Sequence, residues 1–265
     1  MLSLAQKIVN CDLYKDVSTL YQHENVTRFD LGDRYYLCAT PVNPQKIYGL
    51  LVFYHGSRDI AWTNALEYTK LVNYAEEYNV IIIFGQASGK IKAPTIHPHY
   101  HDASFGEIYW EIREDKPQFV KDIEYTQNII DNMLSKYKID QERIYFLGHS
   151  NGGVFAMLLA LHLPNTFQKI VSHMGGIGFD PRFYLDFSKV DGKRKTPVLF
   201  YTASHDIHLN PCKAGQQLLL GEGFPIVDLY VEDNIGHIYL DTCEKYILDW
   251  LIIVEPSKND RNYIK

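Results

Sequence analysis

Largely apolar runs of five to eight residues recur along the chain, and longer segments with helical periodicity separate them. The runs predicted to be strands are residues 47–54, 80–84, 143–148, 169–174, 197–203 and 226–232. The segments predicted to be helices are residues 61–78, 119–137, 151–163, 213–221 and 238–253. A strand that is apolar along its whole length is typical of a parallel sheet covered on both faces. The alternation therefore predicts an α/β fold, with a mostly parallel central sheet flanked by helices.

The first predicted strands follow a different pattern, because residues 26–40 alternate instead of running apolar. Tyr35, Leu37 and Ala39 share one face of an extended segment, and Gly32 lies in the turn that precedes it. Alternation on both sides of a glycine-containing turn is typical of an antiparallel hairpin. The sequence thus predicts an N-terminal hairpin ahead of the parallel strands.

Two longer connections, residues 85–114 and 178–196, have no clear periodicity. The second is too short for an elaborate cap, so little or no cap domain is expected. No repeat or linker interrupts the chain, and one large domain is reasonable for this length. Residues 1–265 are therefore predicted to form a single domain, with a polar tail at residues 256–265 that frays.

Charge and hydropathy exclude several classes of partner. The net charge is −6 with the charges interspersed, and there is no basic patch to follow a nucleic-acid backbone. The apolar runs are far shorter than a membrane span requires. Gln6 and Lys7 interrupt the N-terminal apolar stretch, which makes it a poor signal peptide. A cytoplasmic protein is the default expectation, or a secreted one if a leader was removed, and the oligomeric state stays open.

The cysteines and a run of histidines give little support for a metal site. The cysteines have no CxxC spacing, so structural thiols are favoured and two disulfides remain the alternative. They are Cys11, Cys38, Cys212 and Cys243. Alternating histidines could present one face to a metal, but nothing else near them has ligand spacing, and solvated or substrate-lining side chains are favoured. They are His97, His99 and His101.

The strongest chemical signal is the sequence GHSNGG at residues 148–153, which fits the pattern G-x-S-x-G between a predicted strand and a predicted helix. A chain that reverses there in so little space holds Ser150 in a strained conformation, with its hydroxyl above the sheet. Gly148 and Gly152 avoid clashes with that turn. The backbone N–H of Asn151 begins the helix and would point at a developing oxyanion. Ser150 is therefore predicted to be a nucleophile.

A serine nucleophile needs a base and an orienting acid, and in this fold they follow it along the chain. His237 comes directly after the last predicted strand and is predicted to be the base. Asp206 follows the strand at residues 197–203 and is predicted to be the acid, with Asp233 and Asp180 as the competing carboxylates. All these positions belong to the carboxyl edge of the sheet, where Ser150 would lie.

The turn after the strand at residues 47–54 should supply the second oxyanion donor. The backbone N–H of Ser57 is predicted for this role, with Gly56 or Arg58 as alternatives. Side chains beside these motifs are candidates to line the substrate site, although core packing is equally consistent with the tryptophan. They are His55, His149, Trp110 and His205.

With these residues placed, the chain resembles the α/β-hydrolases. It is most similar to the esterase family that includes polyhydroxybutyrate depolymerases and feruloyl or acetylxylan esterases. The resemblance runs over residues 26–251, and its acid and base loops depart from the family pattern. That family usually has His-Gly-x-x-Asp where this chain has TASHD, and a tryptophan where this chain has Ile238. The matching motifs are residues 32–36, 54–57, 122–125, 137–145, 148–153, 197–206 and 236–237.

The resemblance implies a serine hydrolase that cleaves carboxylic esters through an acyl-enzyme on Ser150, without a metal or an organic cofactor. The implied substrates are small-molecule or polymer esters with short-chain, polyester, sugar-linked or feruloyl acyl groups. The same motifs also serve serine peptidases and acyltransferases, and these stay open as alternatives. A binding protein that kept the fold without catalysis is the remaining alternative.

Overall fold

An eight-stranded sheet forms the centre of the protein in a computed structural model that describes residues 24–43, 47–88, 108–177 and 185–253. The strands are β1 (Val26–Leu31), β2 (Arg34–Ala39), β3 (Tyr48–Tyr54), β4 (Val80–Gly85), β5 (Ile139–His149), β6 (Lys169–His173), β7 (Val198–Ala203) and β8 (Val227–Glu232). Their order in the sheet is β1-β2-β4-β3-β5-β6-β7-β8. Strands β3 to β8 pair in parallel with one another, whereas β2 pairs antiparallel with β1 and β4.

The predicted N-terminal hairpin is confirmed. β1 and β2 pair from Val26 with Ala39 to Leu31 with Arg34. Gly32 lies in the turn between them with a φ of 64°, a left-handed conformation that favours glycine. The second strand of the hairpin then continues the sheet, since Leu37 pairs with Phe84 of β4.

Helices cover the sheet and leave its central strands without solvent contact. They are α1 (Ala61–Thr63), α2 (Leu71–Glu77), α3 (Pro117–Lys136), α4 (Asn151–His162), α5 (Leu209–Gly221) and α6 (Glu244–Leu248). Every residue of β4 is buried, which explains why its sequence is apolar throughout. In α4 all the residues from Gly152 to Leu161 are buried, and a helix that is apolar on all sides belongs in a core.

Three predicted helices differ from the observed ones, and one of them, predicted at residues 213–221, only begins earlier, at Leu209. The segment predicted as one helix at residues 61–78 is divided, because Thr69 is extended and ends a π-helical turn at Asn64–Tyr68. The predicted helix at 238–253 starts later, as a 3-10 turn at Asp241–Cys243, and ends in a π-helical turn at Asp249–Ile253. Periodicity alone does not show these breaks, which depend on contacts with distant parts of the chain.

Glu244 makes the contact that separates α2 from the preceding turn. Its carboxylate accepts the backbone N–H of Lys70 at 3.0 Å, so a residue distant in sequence caps α2. Burial raises the pKa of Glu244 to about 7. The hydroxyl of Tyr239 also donates to this carboxylate, at 3.1 Å, which ties the chain just after His237 to α2.

Three cysteines in the described residues are buried free thiols, so no disulfide joins them. They are Cys38, Cys212 and Cys243, and Cys11 lies outside the described residues. Between β6 and β7 the described residues contain one short 3-10 helix, Phe187–Val190, and residues 178–184 lie outside them. Among the residues that the structure describes, no helix is long and apolar enough to cross a membrane.

Candidate active site

Ser150, Asp206 and His237 each follow a strand of the parallel part of the sheet. Ser150 comes directly after β5, Asp206 lies three residues beyond β7, and His237 lies five residues beyond β8. The carboxyl ends of parallel strands meet at one edge, and ligands of α/β sheets bind there. The topology therefore brings the three predicted residues to one place.

The backbone at Ser150 has the strained geometry expected of a nucleophile elbow. Ser150 has a φ of 53° and a ψ of −117°, which a non-glycine residue adopts only under constraint from its surroundings. Its N–H donates to the carbonyl of His173 at 2.8 Å, and its carbonyl accepts the N–H of Val154 at 3.0 Å. These bonds hold the turn between β5 and α4 in place.

Glycine is required on both sides of Ser150 because backbone atoms occupy the space of a side chain. A Cβ at Gly148 would lie 2.0 Å from the carbonyl oxygen of Gly152. A Cβ at Gly152 would lie 2.4 Å from the carbonyl oxygen of Tyr54. The G-x-S-x-G pattern is thus the condition for α4 to start against the ends of β3 and β5.

A continuous chain of hydrogen bonds joins the predicted nucleophile, base and acid. The Oγ of Ser150 is 2.8 Å from Nε2 of His237, and Nδ1 of His237 is 2.8 Å from Oδ1 of Asp206. The Asp206 side chain has no solvent exposure, whereas about a quarter (26%) of the His237 side chain is exposed. In this arrangement Nδ1–H can donate to the carboxylate while Nε2 accepts the serine proton.

Asp206 is held ionised by several donors. Besides His237, it accepts the backbone N–H of His208 at 2.8 Å and the hydroxyl of Thr202 at 3.1 Å. Burial alone acts to raise the pKa of this carboxyl, but these hydrogen bonds outweigh it and leave the pKa below its ordinary value. The competing carboxylate Asp233 is exposed, and Asp180 lies outside the described residues.

The turn after β3 lies against the elbow, as the oxyanion prediction requires. A Cβ at Gly56 would be 3.2 Å from the Cβ of Ser150. Ser57 follows it and is exposed, and Asn151 is the first residue of α4. The alternative donor Arg58 uses its N–H on the carbonyl of Ile108 at 2.7 Å, which removes that N–H from the candidates.

Two of the predicted substrate-lining side chains lie in the core, which corrects that expectation. His55 has no solvent exposure, and backbone groups of Gly56 and Ala87 occupy its ring nitrogens at 2.7 and 3.2 Å. Trp110 is equally buried, and its Nε1–H donates to the carbonyl of His55 at 3.1 Å. Their positions beside the motifs gave no information on where the side chains point. His149 is half-buried and His205 is exposed, and for both the role stays a prediction.

Sequence reasoning missed a contact between two histidines and a further histidine next to the candidate triad. Nδ1 of His149 lies 2.8 Å from Nδ1 of His173, and the His208 ring lies 5.1 Å from that of His237. Burial lowers the pKa of His173 to about 3, and burial with the neighbouring histidines lowers that of His149 well below its ordinary value. His173 ends β6, beside β5, and this position at the shared edge was the signal that could have found it.

Metal binding has no support within the described ranges given above: there, no three His, Cys, Asp or Glu side chains are grouped as ligands. The alternating histidines His97, His99 and His101 lie outside those ranges. The triad can act without a metal, because proton transfer and charge stabilisation come from side chains and backbone N–H groups.

Residues 43–215 match the sequence profile of a family described as phospholipase/carboxylesterase, which is well over half of the chain. This chain belongs to the phospholipase/carboxylesterase family. The match includes Ser57, Ser150 and Asp206 and ends before His237, which the geometry adds to the set. As a member of the phospholipase/carboxylesterase family, the protein is a hydrolase of the esterase type.

Individual relatives agree with this assignment. An uncharacterized hydrolase of Acanthamoeba polyphaga mimivirus is 29% identical over 256 residues, which cover 88% of this chain and 79% of the relative. Among solved structures, a ferulic acid esterase has a TM-score of 0.67 at 17% identity, covering 86% of this chain and 97% of its own. The fluorophosphonate-binding serine hydrolase F of Staphylococcus aureus has a TM-score of 0.63 at 13% identity, with the same coverages. At these identities the structures show the fold, and the predicted α/β-hydrolase fold is confirmed.

Proposed function

We propose that the protein is a serine hydrolase that cleaves carboxylic esters through an acyl-enzyme on Ser150. The observation that carries this proposal is the hydrogen-bond chain from Ser150 through His237 to Asp206 at the carboxyl edge of the sheet. Membership of the phospholipase/carboxylesterase family supports the class of reaction. The strained elbow supports Ser150, and not a neighbouring residue, as the attacking group.

In the first half of the proposed reaction, Ser150 Oγ attacks the ester carbonyl while Nε2 of His237 takes the hydroxyl proton. The carbonyl becomes a tetrahedral oxyanion that accepts hydrogen bonds from the backbone N–H groups of Asn151 and Ser57. When the C–O bond of the ester breaks, His237 returns the proton to the departing alcohol. Ser150 then carries the acyl group.

In the second half, His237 removes a proton from water as the water oxygen attacks the acyl-enzyme carbonyl. The second tetrahedral intermediate collapses, the acid leaves, and Ser150 regains its proton from His237. Asp206 stabilises the imidazolium in both halves, and its lowered pKa keeps it charged at neutral pH. The neighbouring His208, in contrast, is held neutral, since burial and the nearby His237 lower its pKa. No like charge therefore opposes the imidazolium of His237 from that side.

The proposed substrates are esters with short-chain, aromatic or sugar-linked acyl groups, as small molecules or polymers. The sequence supports this range, because the connection between β6 and β7 has too few residues for an elaborate cap over the site. Two fold neighbours, a ferulic acid esterase and an S-formylglutathione hydrolase, add aromatic esters and thioesters to the panel that should be assayed. A clear preference for long-chain esters over acetate would contradict the proposal.

The first test is turnover of p-nitrophenyl acetate and butyrate by the wild type beside Ser150→Ala. We expect turnover by the wild type and a loss of roughly 10⁴-fold or more in the variant, because removal of a triad nucleophile leaves only the oxyanion hole and binding. Circular dichroism should show that the variant is folded. A fluorophosphonate probe should label the wild type alone. Turnover retained by Ser150→Ala, or a folded wild type that neither turns over esters nor labels, would contradict the proposal.

A further inference from the structure

The segment from Ile108 to Trp110 lies between the two elements that carry the proposed oxyanion donors. On one side, the carbonyl of Ile108 accepts the N–H of Arg58, one residue beyond Ser57, at 2.7 Å. On the other side, the backbone of Trp110 bonds to the side chain of Asn151, the residue after the nucleophile. One short segment therefore connects the turn after β3 with the start of α4.

The Asn151 side chain is attached to Trp110 at two points. Its Oδ1 accepts the N–H of Trp110 at 2.7 Å, and its Nδ2 donates to the carbonyl of Trp110 at 3.1 Å. A single hydrogen bond leaves an amide free to rotate about the bond axis, whereas a pair to one residue fixes its orientation. Because the carboxamide is two bonds from the Asn151 backbone, this attachment also restricts the direction of the Asn151 N–H.

Trp110 can serve as the fixed end of this attachment because it is anchored to β3. Its ring stacks on Tyr54, with the ring centroids 3.7 Å apart and the planes 2° from parallel. Its Nε1–H donates to the carbonyl of His55 at 3.1 Å, and the side chain has no solvent exposure. Tyr54 and His55 lead directly into Gly56 and Ser57. The rigid route therefore runs from Asn151 through Trp110 to the turn with the second donor.

We propose that the side chain of Asn151 is a positioning residue that sets the separation and direction of the two oxyanion donors. This proposal rests on the proposed function, and it assigns to Asn151 a second task beyond its backbone N–H. Oxyanion stabilisation depends on donors that are oriented before the charge forms. The carboxamide provides that orientation by fixing α4 to the anchored Trp110.

The test is Asn151→Ala, which keeps the backbone N–H and removes both hydrogen bonds to Trp110. We expect kcat on p-nitrophenyl butyrate to fall by about 10- to 100-fold, somewhat less than the loss of one whole donor, which costs about 10²–10³-fold. KM should stay within about threefold, because the lost interaction acts in the transition state. The affinity for phenylboronic acid, which forms a tetrahedral adduct on a nucleophilic serine, should fall in parallel with kcat.

Thr196→Val is the matched control, because Thr196 is also buried and its hydroxyl bonds to two backbone carbonyls, those of Pro164 and Phe167. It lies before β7, at the amino edge of the sheet away from the site. We expect this variant to have a lower Tm than the wild type and an unchanged kcat per folded enzyme. Should Asn151→Ala fail to fold, Trp110→Phe keeps an aromatic ring beside Tyr54 but removes the bond to His55 and part of the buried ring. Its kcat should then fall at least about threefold at constant KM, the signature of a lost transition-state interaction.

Several outcomes would overturn the proposal. A folded Asn151→Ala enzyme could keep kcat within twofold of wild type, or lose Tm as Thr196→Val does with kcat intact. Either result would mean that the Asn151 side chain has only a structural role. A raised KM at unchanged kcat would mean that Asn151 touches the substrate instead. An unchanged affinity for phenylboronic acid would also contradict it. If the wild type itself neither turns over esters nor labels with fluorophosphonate, the proposed function has failed, and the inference falls with it.

Discussion

At the scale of single residues, Asp206 shows why a buried carboxylate can stay charged in this protein. Its three donors come from the ring of His237, from the backbone of His208 and from the hydroxyl of Thr202. A buried charge without partners would neutralise itself by taking up a proton. Here the donors lower the pKa, and the charge remains available to stabilise the imidazolium.

Replacing the acid tests this charge directly. Asp206→Asn should lower kcat for p-nitrophenyl butyrate by on the order of 10⁴-fold near pH 7, because an amide no longer holds the imidazole tautomer or stabilises the imidazolium. Steady-state kinetics on folded protein measure the loss. Asp233→Asn, which changes the exposed competing carboxylate, should behave like wild type. A large loss in Asp233→Asn with activity intact in Asp206→Asn would exchange the two assignments.

The sequence allowed the candidate triad of Ser150, Asp206 and His237 to be predicted, because each of them follows a strand in a fixed order along the chain. Ser150 has the glycine pattern that its turn requires, and His237 and Asp206 end up in the expected contact. The edge position of His173 could have been noticed, but its contact with His149 and the carboxamide bonds of Asn151 depend on the directions of the side chains. A pattern along the chain records adjacency to a strand, but it does not record where a side chain points.

At the scale of elements, the close contact of α4 with the ends of β3 and β5 fixes the site. Gly152 allows this contact, since the carbonyl oxygens of Tyr54 and His55 lie 2.4 and 2.7 Å from the position of a Cβ. A shift of α4 would move Asn151 and Ser150 together. The packing of α4 against the sheet therefore determines the geometry of Ser150.

Gly152→Ala should destabilise the fold and inactivate the enzyme together. Alanine usually favours a helix over glycine by up to about 1 kcal/mol. Here the clash with backbone should reverse the sign and lower the free energy of unfolding by about 1–3 kcal/mol. Urea unfolding and ester turnover measure the two effects. Gly221→Ala near the end of α5 is the control, because a Cβ there meets nothing within 4 Å. Equal stability of the two variants would refute the packing argument.

The strands were easier to predict than the helices for a physical reason. A strand buried on both faces, such as β4, has to be apolar throughout, and its sequence shows this directly. Helix ends depend on caps that come from elsewhere, as Glu244 caps Lys70 at the start of α2. Periodicity therefore could not predict that the segment at residues 61–78 is divided.

At the scale of the whole molecule, buried neutral histidines make stability depend on pH. Burial lowers the pKa of His173 to about 3 from an ordinary 6.5. Between these values the unfolded chain binds a proton that the folded protein does not, so stability present above pH 6.5 is lost as the pH falls toward 3. A buried carboxyl acts oppositely: burial raises the pKa of Glu244 to about 7, so the folded state gains stability as this carboxyl takes up its proton.

A difference between variants isolates the histidine contribution. The free energy of unfolding of the wild type is measured with urea at several pH values. We expect His173 alone to lower it by up to about 1.4 kcal/mol per pH unit as the pH falls from 6 to 4. His173→Gln should be less stable at pH 7.5, with a shallower pH dependence by that amount. His205→Gln, which changes an exposed histidine, should keep the wild-type slope. Parallel curves for wild type and His173→Gln would show that His173 does not stay neutral on folding.

The parallel sheet separates its two edges by the length of its strands, and the proposed catalytic residues lie at the carboxyl edge. At the amino edge, the turn before β7 includes Gly192, which is exposed, has a φ of 67° and has no atom within 4 Å of where a Cβ would lie. Chain inserted at such a turn meets no neighbour. A fluorescent reporter or an immobilisation handle can therefore be grafted at this turn and leave the approach to Ser150 open.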